Sequence, residues 1–372
     1  LKKSILVPVH NEALAIPTLL RTLALATRKA KDFEILFIDN ASTDGSREML
    51  EAAKLPHARV LREPRRGYAE PLNTGIAEAS GELLLFLDAR SRPDPHWVVE
   101  MEKAFANADL VVGNSPAAPG EKSTPYSRVA AKLFDKHAER TSRALGYALP
   151  WGPACNLGAH RSLVEAAGPF SSEAASAFDI DWCWRAMISG ARIAYAGKAK
   201  IHQSRHGDKL ALLQQFERYG LGEAWLHRTY AFLLSPEDQR ADPLLAGVDA
   251  FSRLRHQSNA SGVKTLGPVL DEVAAAFAGG VRIGYERPHR ECPIERSIPA
   301  SALSWSNGQN STTVFVPGKG VAVLGGKQRQ LFSALKSGIN EHDLVHLFMK
   351  LFKANHHEAE HEVAEFRSSL TP

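Results

Sequence analysis

The stretch FLDARSRPDP, residues 86–95, ends an apolar run on Asp88 and sets Arg90 two residues later. A carboxylate in that place can ligate a hard divalent cation through oxygen, or it can be the polar end of a buried strand. The same alternative recurs along the chain. FIDNASTDGS puts Asp39 where it could accept hydrogen bonds from a ligand, with Asp44 beyond it in turn chemistry. VPVHNE leaves Asn11 and Glu12 at a strand-to-helix crossover, where a helix start favours anions or a side chain simply caps it. REPRRGYAEP offers Arg65, Arg66 and Gly67, a flexible cationic loop able to approach a phosphorylated ligand, or a set of solvated arginines. FDIDWCW brings Asp179 and Asp181 to the acidic start of a helical pattern.

The elements that must position these residues are legible from periodicity. From residue 4 to about 115, apolar runs (SILVPV, FEILFID, ARVLRE, ELLLFLD, DLVVGN) alternate with amphipathic helical patterns. Continuous apolar runs are strands buried on both faces, and strand-helix alternation implies right-handed crossovers into a parallel sheet with helices on both faces. Ligands in such folds collect beyond the carboxyl ends of the strands, which is where Asp39, Arg66 and Asp88 fall. Residues 120–150 read as helical, and LPWGPACNLGAHRSLVEAAGPF as a loop, a short strand and a helix. A helix, a strand ending AKIHQ and a long helical tract lead to a loop-rich stretch with Pro288, Pro293 and Pro299. Beyond about residue 302, ALSWSN, TTVFVPG and GVAVLG read as strands with turns at Asn307-Gly308 and Pro317-Gly318. Three helical patterns over KQRQLFSALKSG, NEHDLVHLFMKLF and HEAEHEVAEFRSSL follow.

The 372 residues, 44% hydrophobic and 23% charged, fit an ordinary globular chain with a main domain and a smaller companion. A net charge of +4 without a Lys/Arg stripe argues against nucleic acid. No apolar stretch reaches bilayer-spanning length and no secretory leader is evident. The three cysteines, scattered and odd in number, suit a reducing compartment, so a cytoplasmic location is expected. GVAVLGGKQ misses the P-loop spacing and has Gln328 where Ser or Thr must sit. The pairs His342/His346 and His357/His361 read as polar helix faces, and Cys155 and Cys183 as packed thiols.

Taken together, VPVHNE, IDNASTDGS, RGYAEPLNTGI, FLDARSRPDP, GPACNLGAHRSLVEAAGPF and AFDIDWCWRAMISGARIAYAG resemble, in order, the motifs of family 2 glycosyltransferases of GT-A fold, over residues 4 to about 230. The resemblance implies an α/β fold with a Rossmann-like mixed sheet and helices on both faces. It further implies a nucleotide-sugar donor, UDP being the family's commonest, and an inverting transfer assisted by manganese or magnesium. Carried over by position, Pro8, Glu12, Asp39, Arg66 and Gly67 would hold the nucleotide-sugar with Asp88 and Arg90. Asp88 and His202 would ligate the metal, Asp179 would be the general base, and Trp151, Asn156, Asp181 and Trp184 would lie on the acceptor side.

Two departures stand out: Arg90 replaces the second Asp of Asp-x-Asp, and Phe178 the Glu that usually precedes the base. Arg90 could neutralise diphosphate charge directly, and Phe178 would desolvate Asp179 and raise its pKa. The unit after residue 302 looks like the small peptide-binding domain of pyrroloquinoline quinone biosynthesis, the RiPP recognition element, a winged-helix-like α+β domain. That likeness implies capture of a leader peptide by strand addition and a peptide acceptor. The expected division is a glycosyltransferase domain over 1–235, a helical extension over 236–301 and a peptide-recognition domain over 302–372. A disabled scaffold, or transfer to a glycan, lipid or small cofactor, are the competing expectations.

Overall fold

A computed structural model describes residues 1–116, 118, 124–134, 151–204, 208–230, 267–287, 303–306, 311–316, 320–325, 341–352 and 354–370. Other expectations named above lie outside these residues: the rest of the 120–150 helical stretch, the proline-rich stretch, both C-terminal turns, the helix over 327–338 and Cys292.

The apolar runs become β1 (Lys3–Val9), β2 (Phe33–Asp39), β3 (Ala58–Arg62), β4 (Leu83–Leu87) and β6 (Leu110–Asn114). Between them run α1 (Ile16–Thr27), α2 (Ser46–Ala52), α3 (Ala69–Glu78) and α4 (Trp97–Ala104). Side chains alternate across a strand. Ile5, Val7, Ile35, Phe37 and Leu85 therefore enter one core with Leu19 and Leu23 of α1 and Trp97 of α4. Leu6, Leu36, Ile38, Leu84 and Phe86 enter another with Leu72 of α3 and Trp182. Both faces are covered, which is why the runs are continuously apolar.

The sheet continues through β5 (Ser91–Pro93), β7 (Asn156–His160) and β8 (Ile193–Gln203) in the order β3-β2-β1-β4-β7-β6-β8-β5. It is mixed. Strands β1 to β4 are mutually parallel where they pair, whereas β7 lies antiparallel between β4 and β6, and β5 antiparallel to β8. The mixed sheet that the resemblance implies is the one found; alternation over residues 4–115 reads its parallel part, and β7 adds the antiparallel one. An apolar run signals burial but not direction, and the connection from β6 to β7, which includes α5 (Pro125–Phe134), is long.

Among the described residues, helices α5 (Pro125–Phe134), α6 (Arg161–Ala167), α7 (Phe178–Ile188), α8 (Lys209–Thr229) and α9 (Gly267–Glu286) also belong to this unit. Helix α9 packs along α8, and residues 241–292 cluster with 1–231, where the sequence reading sets a separate extension. The close approach is made through glycines: a Cβ on Gly220 would lie 2.1 Å from the Phe277 carbonyl oxygen, and one on Gly280 1.9 Å from that of Glu217.

The second unit comprises 232–240 and 293–372. Strands β9 (Leu303–Ser306), β10 (Ser311–Val316) and β11 (Gly320–Gly325) form an antiparallel meander, β11-β10-β9. Helices α10 (Glu341–Phe352) and α11 (His356–Leu370) follow. Asn355 caps α11 reciprocally: its Oδ1 accepts the Glu358 N–H at 2.9 Å and its own N–H donates to Glu358 Oε2 at 3.1 Å.

Candidate active site

Strand order reverses at β1, whose neighbours are β2 and β4, and the crevice beyond their carboxyl ends gathers most of the singled-out residues. The loops after β1 and β2 are stapled together. Asn11 Oδ1 accepts the Thr43 N–H at 2.8 Å, Ser46 Oγ accepts the Glu12 N–H at 2.8 Å, and Asp44 Oδ2 accepts the Ala13 N–H at 3.0 Å. Asp44 thus does the turn work, while Asp39, 2% exposed at the end of β2, accepts only a long bond from the Ser42 N–H at 3.3 Å. Pro8 is half-buried in β1, in register with Ile38.

The cationic loop is tied down, not free. Buried Asn40 donates from Nδ2 to the carbonyls of Glu63 (3.0 Å) and Arg65 (2.6 Å) and accepts the Gly67 N–H at 3.1 Å. Buried Glu63 binds Arg65 at 2.8 Å and accepts from Thr74 at 2.6 Å, and these bonds hold its pKa at about 2. The charge of Arg65 is therefore spent within the loop. Arg66 instead donates to His10 Nε2.

Beyond β4, Asp88 Oδ1 accepts the Arg90 N–H at 2.8 Å, a turn of the kind Asp forms with its own backbone two residues on. Its Oδ2 is only weakly engaged, 3.5 Å from Gln203 Nε2. Arg90 turns to Glu12, 3.3 Å away, so its charge meets a carboxylate of the protein. Burial pushes the Glu12 pKa up to about 7; Arg90 opposes the shift, and the negative charges of Asp88 and Asp44 add to it.

The sequence reading pairs His202 with Asp88. The structure gives the contact with Asp88 to Gln203 and holds His202 Nε2 on Asp94 at 3.1 Å. Among the described residues no group of three or more His, Cys, Asp or Glu side chains gathers to hold a metal. One observation nonetheless fits a divalent ion shared with substrate oxygens: His202 Nδ1 is buried without a hydrogen-bond partner, and its other nitrogen is oriented by a carboxylate, as metal-binding imidazoles commonly are.

Asp179 opens α7. Its Oδ2 accepts the Ala154 N–H at 3.2 Å and its Oδ1 the Ile180 N–H at 2.9 Å. Desolvation outweighs these donors and pushes its pKa up to about 7. Phe178, the departure from the usual Glu, lies parallel to Tyr68 at 5.9 Å between centroids and edge-on to Phe170 at 5.8 Å. An aromatic contact thus joins the Arg66 loop to the helix of Asp179. Trp151 is half-buried, one residue before Gly152, whose N–H reaches Cys183 Sγ at 3.5 Å.

Three of the residues expected on the acceptor side are buried and engaged within the protein. Asp181 is 2% exposed, bound by Arg185 at 2.8 Å and by the Tyr230 hydroxyl at 2.6 Å. Trp184 is 3% exposed and edge-on to Tyr230 at 4.9 Å. Asn156 is wholly buried: its Oδ1 accepts from the Trp97 indole at 2.8 Å, and its Nδ2 donates to the carbonyls of Asn114 (2.9 Å) and Ala199 (3.1 Å). All three hold the core. His10, Asn40, Glu63, Asp94 and Gln203 were missed as partners. Each lies in or beside a stretch quoted above: His10 in VPVHNE, Asn40 after Asp39, Glu63 in REPRRGYAEP, Asp94 in FLDARSRPDP and Gln203 after His202.

Residues 4–167 match the family model described as Glycosyl transferase family 2. Over 226 residues the chain is 28% identical to Glycosyltransferase AglE of Haloferax volcanii, covering 59% of this chain and 72% of the relative. It is also 28% identical, over 172 residues, to an Undecaprenyl-phosphate 4-deoxy-4-formamido-L-arabinose transferase of Photorhabdus laumondii, covering 44% of this chain and 51% of that protein. The solved structure of Mannosyltransferase PcManGT from Pyrobaculum calidifontis, in complex with GDP-Man and Mn2+, shares the fold. Its TM-score is 0.52 at 18% identity, over 77% of this chain and 88% of the mannosyltransferase.

Proposed function

We propose that the protein, a glycosyltransferase whose residues 4–167 match the family 2 model, transfers a sugar from a nucleotide-sugar with inversion, using Asp179 as general base. The observation that carries this reading is the Asp179 carboxylate, fixed by two backbone donors yet with its pKa pushed to about 7 by desolvation. A base poised near neutrality is ionised enough to accept a proton and basic enough to draw it from an acceptor hydroxyl. Removal of that proton as the hydroxyl attacks the anomeric carbon in line would invert configuration there.

The donor would lie in the crevice of Pro8, Glu12, Asp39, Arg66 and Gly67, with UDP or another nucleoside diphosphate as leaving group. Asp88 and His202 would hold a divalent cation, which when bound supplies Lewis-acid stabilisation of the leaving diphosphate. Support for this is the weakly engaged Asp88 Oδ2 and the unpartnered His202 Nδ1.

For the acceptor, the antiparallel order β11-β10-β9 supports recruitment of a peptide by strand addition at the second unit. The name of the undecaprenyl-phosphate relative favours a second reading, a lipid-linked phosphate as acceptor, beside which a glycan acceptor also stands. No described helix is long and apolar enough to cross a membrane; a cytoplasmic location belongs to this proposal.

Calorimetric titration with UDP and GDP, with and without manganese, tests the donor site. Manganese-dependent binding of one nucleotide is expected, and binding of neither would leave a disabled scaffold as the better account. Asp179→Asn is expected to keep that binding and lose transfer; undiminished transfer would overturn the mechanism.

A further inference from the structure

His10 Nδ1 lies 2.7 Å from the Asn40 carbonyl oxygen, and His10 Nε2 accepts from Arg66. A carbonyl has no proton to give, so Nδ1 must carry the hydrogen. A guanidinium has only donors, so Nε2 must present its lone pair. Both bonds are satisfied together only by the neutral Nδ1–H imidazole; the other tautomer fails at both ends, and imidazolium would set two donors against each other.

Asn40 then governs the arrangement from both sides. Its main-chain oxygen fixes the tautomer of His10, while its side chain holds the Glu63 and Arg65 carbonyls and the Gly67 N–H, the segment on which Arg66 rides. The two loop arginines are treated differently. Arg65 is neutralised by Glu63, whereas the partner of Arg66 is uncharged, so that contact orders the side chain without cancelling its charge.

We propose that His10 is the positioning residue for Arg66, holding a charged guanidinium in place before an anionic donor arrives. The proposal rests on the reading of this crevice as the nucleotide-sugar site. An arginine carries substantial side-chain freedom, and ordering it in advance removes that cost from ligand binding. His10 touches no reacting atom in this account, so its removal acts on donor affinity and not on the chemical step.

The test uses the full chain and has two arms. In the first, long-range 1H–15N spectra of the histidine side chains are recorded without ligand for wild type and Arg66→Ala. An Nδ1–H signature for His10 whose Nε2 resonance moves in Arg66→Ala is expected; an Nε2–H signature, or no response, overturns the contact. In the second, donor KM and kcat are measured for His10→Phe, His10→Gln, Arg66→Ala and the double variant His10→Phe/Arg66→Ala. His10→Phe is expected to raise donor KM about tenfold with kcat nearly unchanged, the scale of a lost hydrogen bond to a charged group. Arg66→Ala should raise it at least as much, and the double variant no further than Arg66→Ala alone. His10→Gln, whose amide both donates and accepts, should restore most of the affinity. Strictly additive single effects, or a fall in kcat at unchanged KM, overturn the proposal. If wild type uses no nucleotide-sugar, the donor reading fails, and the spectra still decide the His10–Arg66 contact.

Discussion

Asp179 sits under opposed influences: the start of α7 and two backbone N–H donors favour its ionised form, and burial disfavours it and wins. Asp179→Asn is expected to lower transfer about a hundredfold or more while leaving the far-ultraviolet circular dichroism unchanged. In wild type, kcat should fall as pH drops below about 7, because the protonated acid cannot accept the acceptor's proton. The stability consequence has the opposite sense. A folded pKa above the unfolded one means that the native state holds the proton more tightly, so this group costs stability as pH rises through 7 and the cost fades below it. Asp179→Asn should therefore raise the melting temperature more at pH 8 than at pH 5. The positions of Asp39, Asp88 and Asp179 were legible because each closes an apolar run or opens a helical one. The pairing of Arg90 with Glu12 was not legible, since it joins residues 78 positions apart through the sheet order. Asp181 was legible in part: Asp181 and Arg185 are spaced i,i+4 on a helix, the signature of an intrahelical pair, and the structure shows that pair buried.

Among the elements, β1, β2, β4 and β6 could be read directly because two-sided burial leaves no polar position in their middles. β5 could not: three residues, Ser91–Pro93, have no periodicity, and only pairing with β8 makes them a strand. The α8–α9 contact was equally silent, since a glycine's value there depends on a neighbour remote in sequence. It makes a paired prediction. Gly220→Ala should lower stability by about 1–3 kcal/mol, the usual cost of forcing extra volume into a packed site, because its Cβ meets the Phe277 carbonyl oxygen at 2.1 Å. Gly279→Ala, with nothing within 4 Å of the added carbon, should raise stability by roughly 0.5–1 kcal/mol through helix propensity alone. Urea denaturation of the two variants checks both signs in one experiment.

At the scale of the whole chain, the first unit contains every residue assigned to the donor and the base, and the second contains none of them. A chain ending at residue 292 is expected to bind nucleotide with the same affinity as the full chain, as read by calorimetry. Loss of transfer to a peptide on that truncation would favour the peptide acceptor, and unchanged transfer to a lipid-linked phosphate or glycan the other. The strand order carries one more consequence, for a chain still being made on the ribosome. Strands β1 to β4 are complete by residue 87 and, among the described residues, pair only with one another and with β7, so His10, Asn40 and Arg66 can come together before the later strands emerge. Asp88 must wait for Gln203, and Asp179 for its own helix, until far more of the polypeptide has emerged. Domains are built from the N-terminus forward, so a stalled nascent chain would present the His10, Asn40 and Arg66 side of the crevice well before the side that holds Asp88 and Asp179.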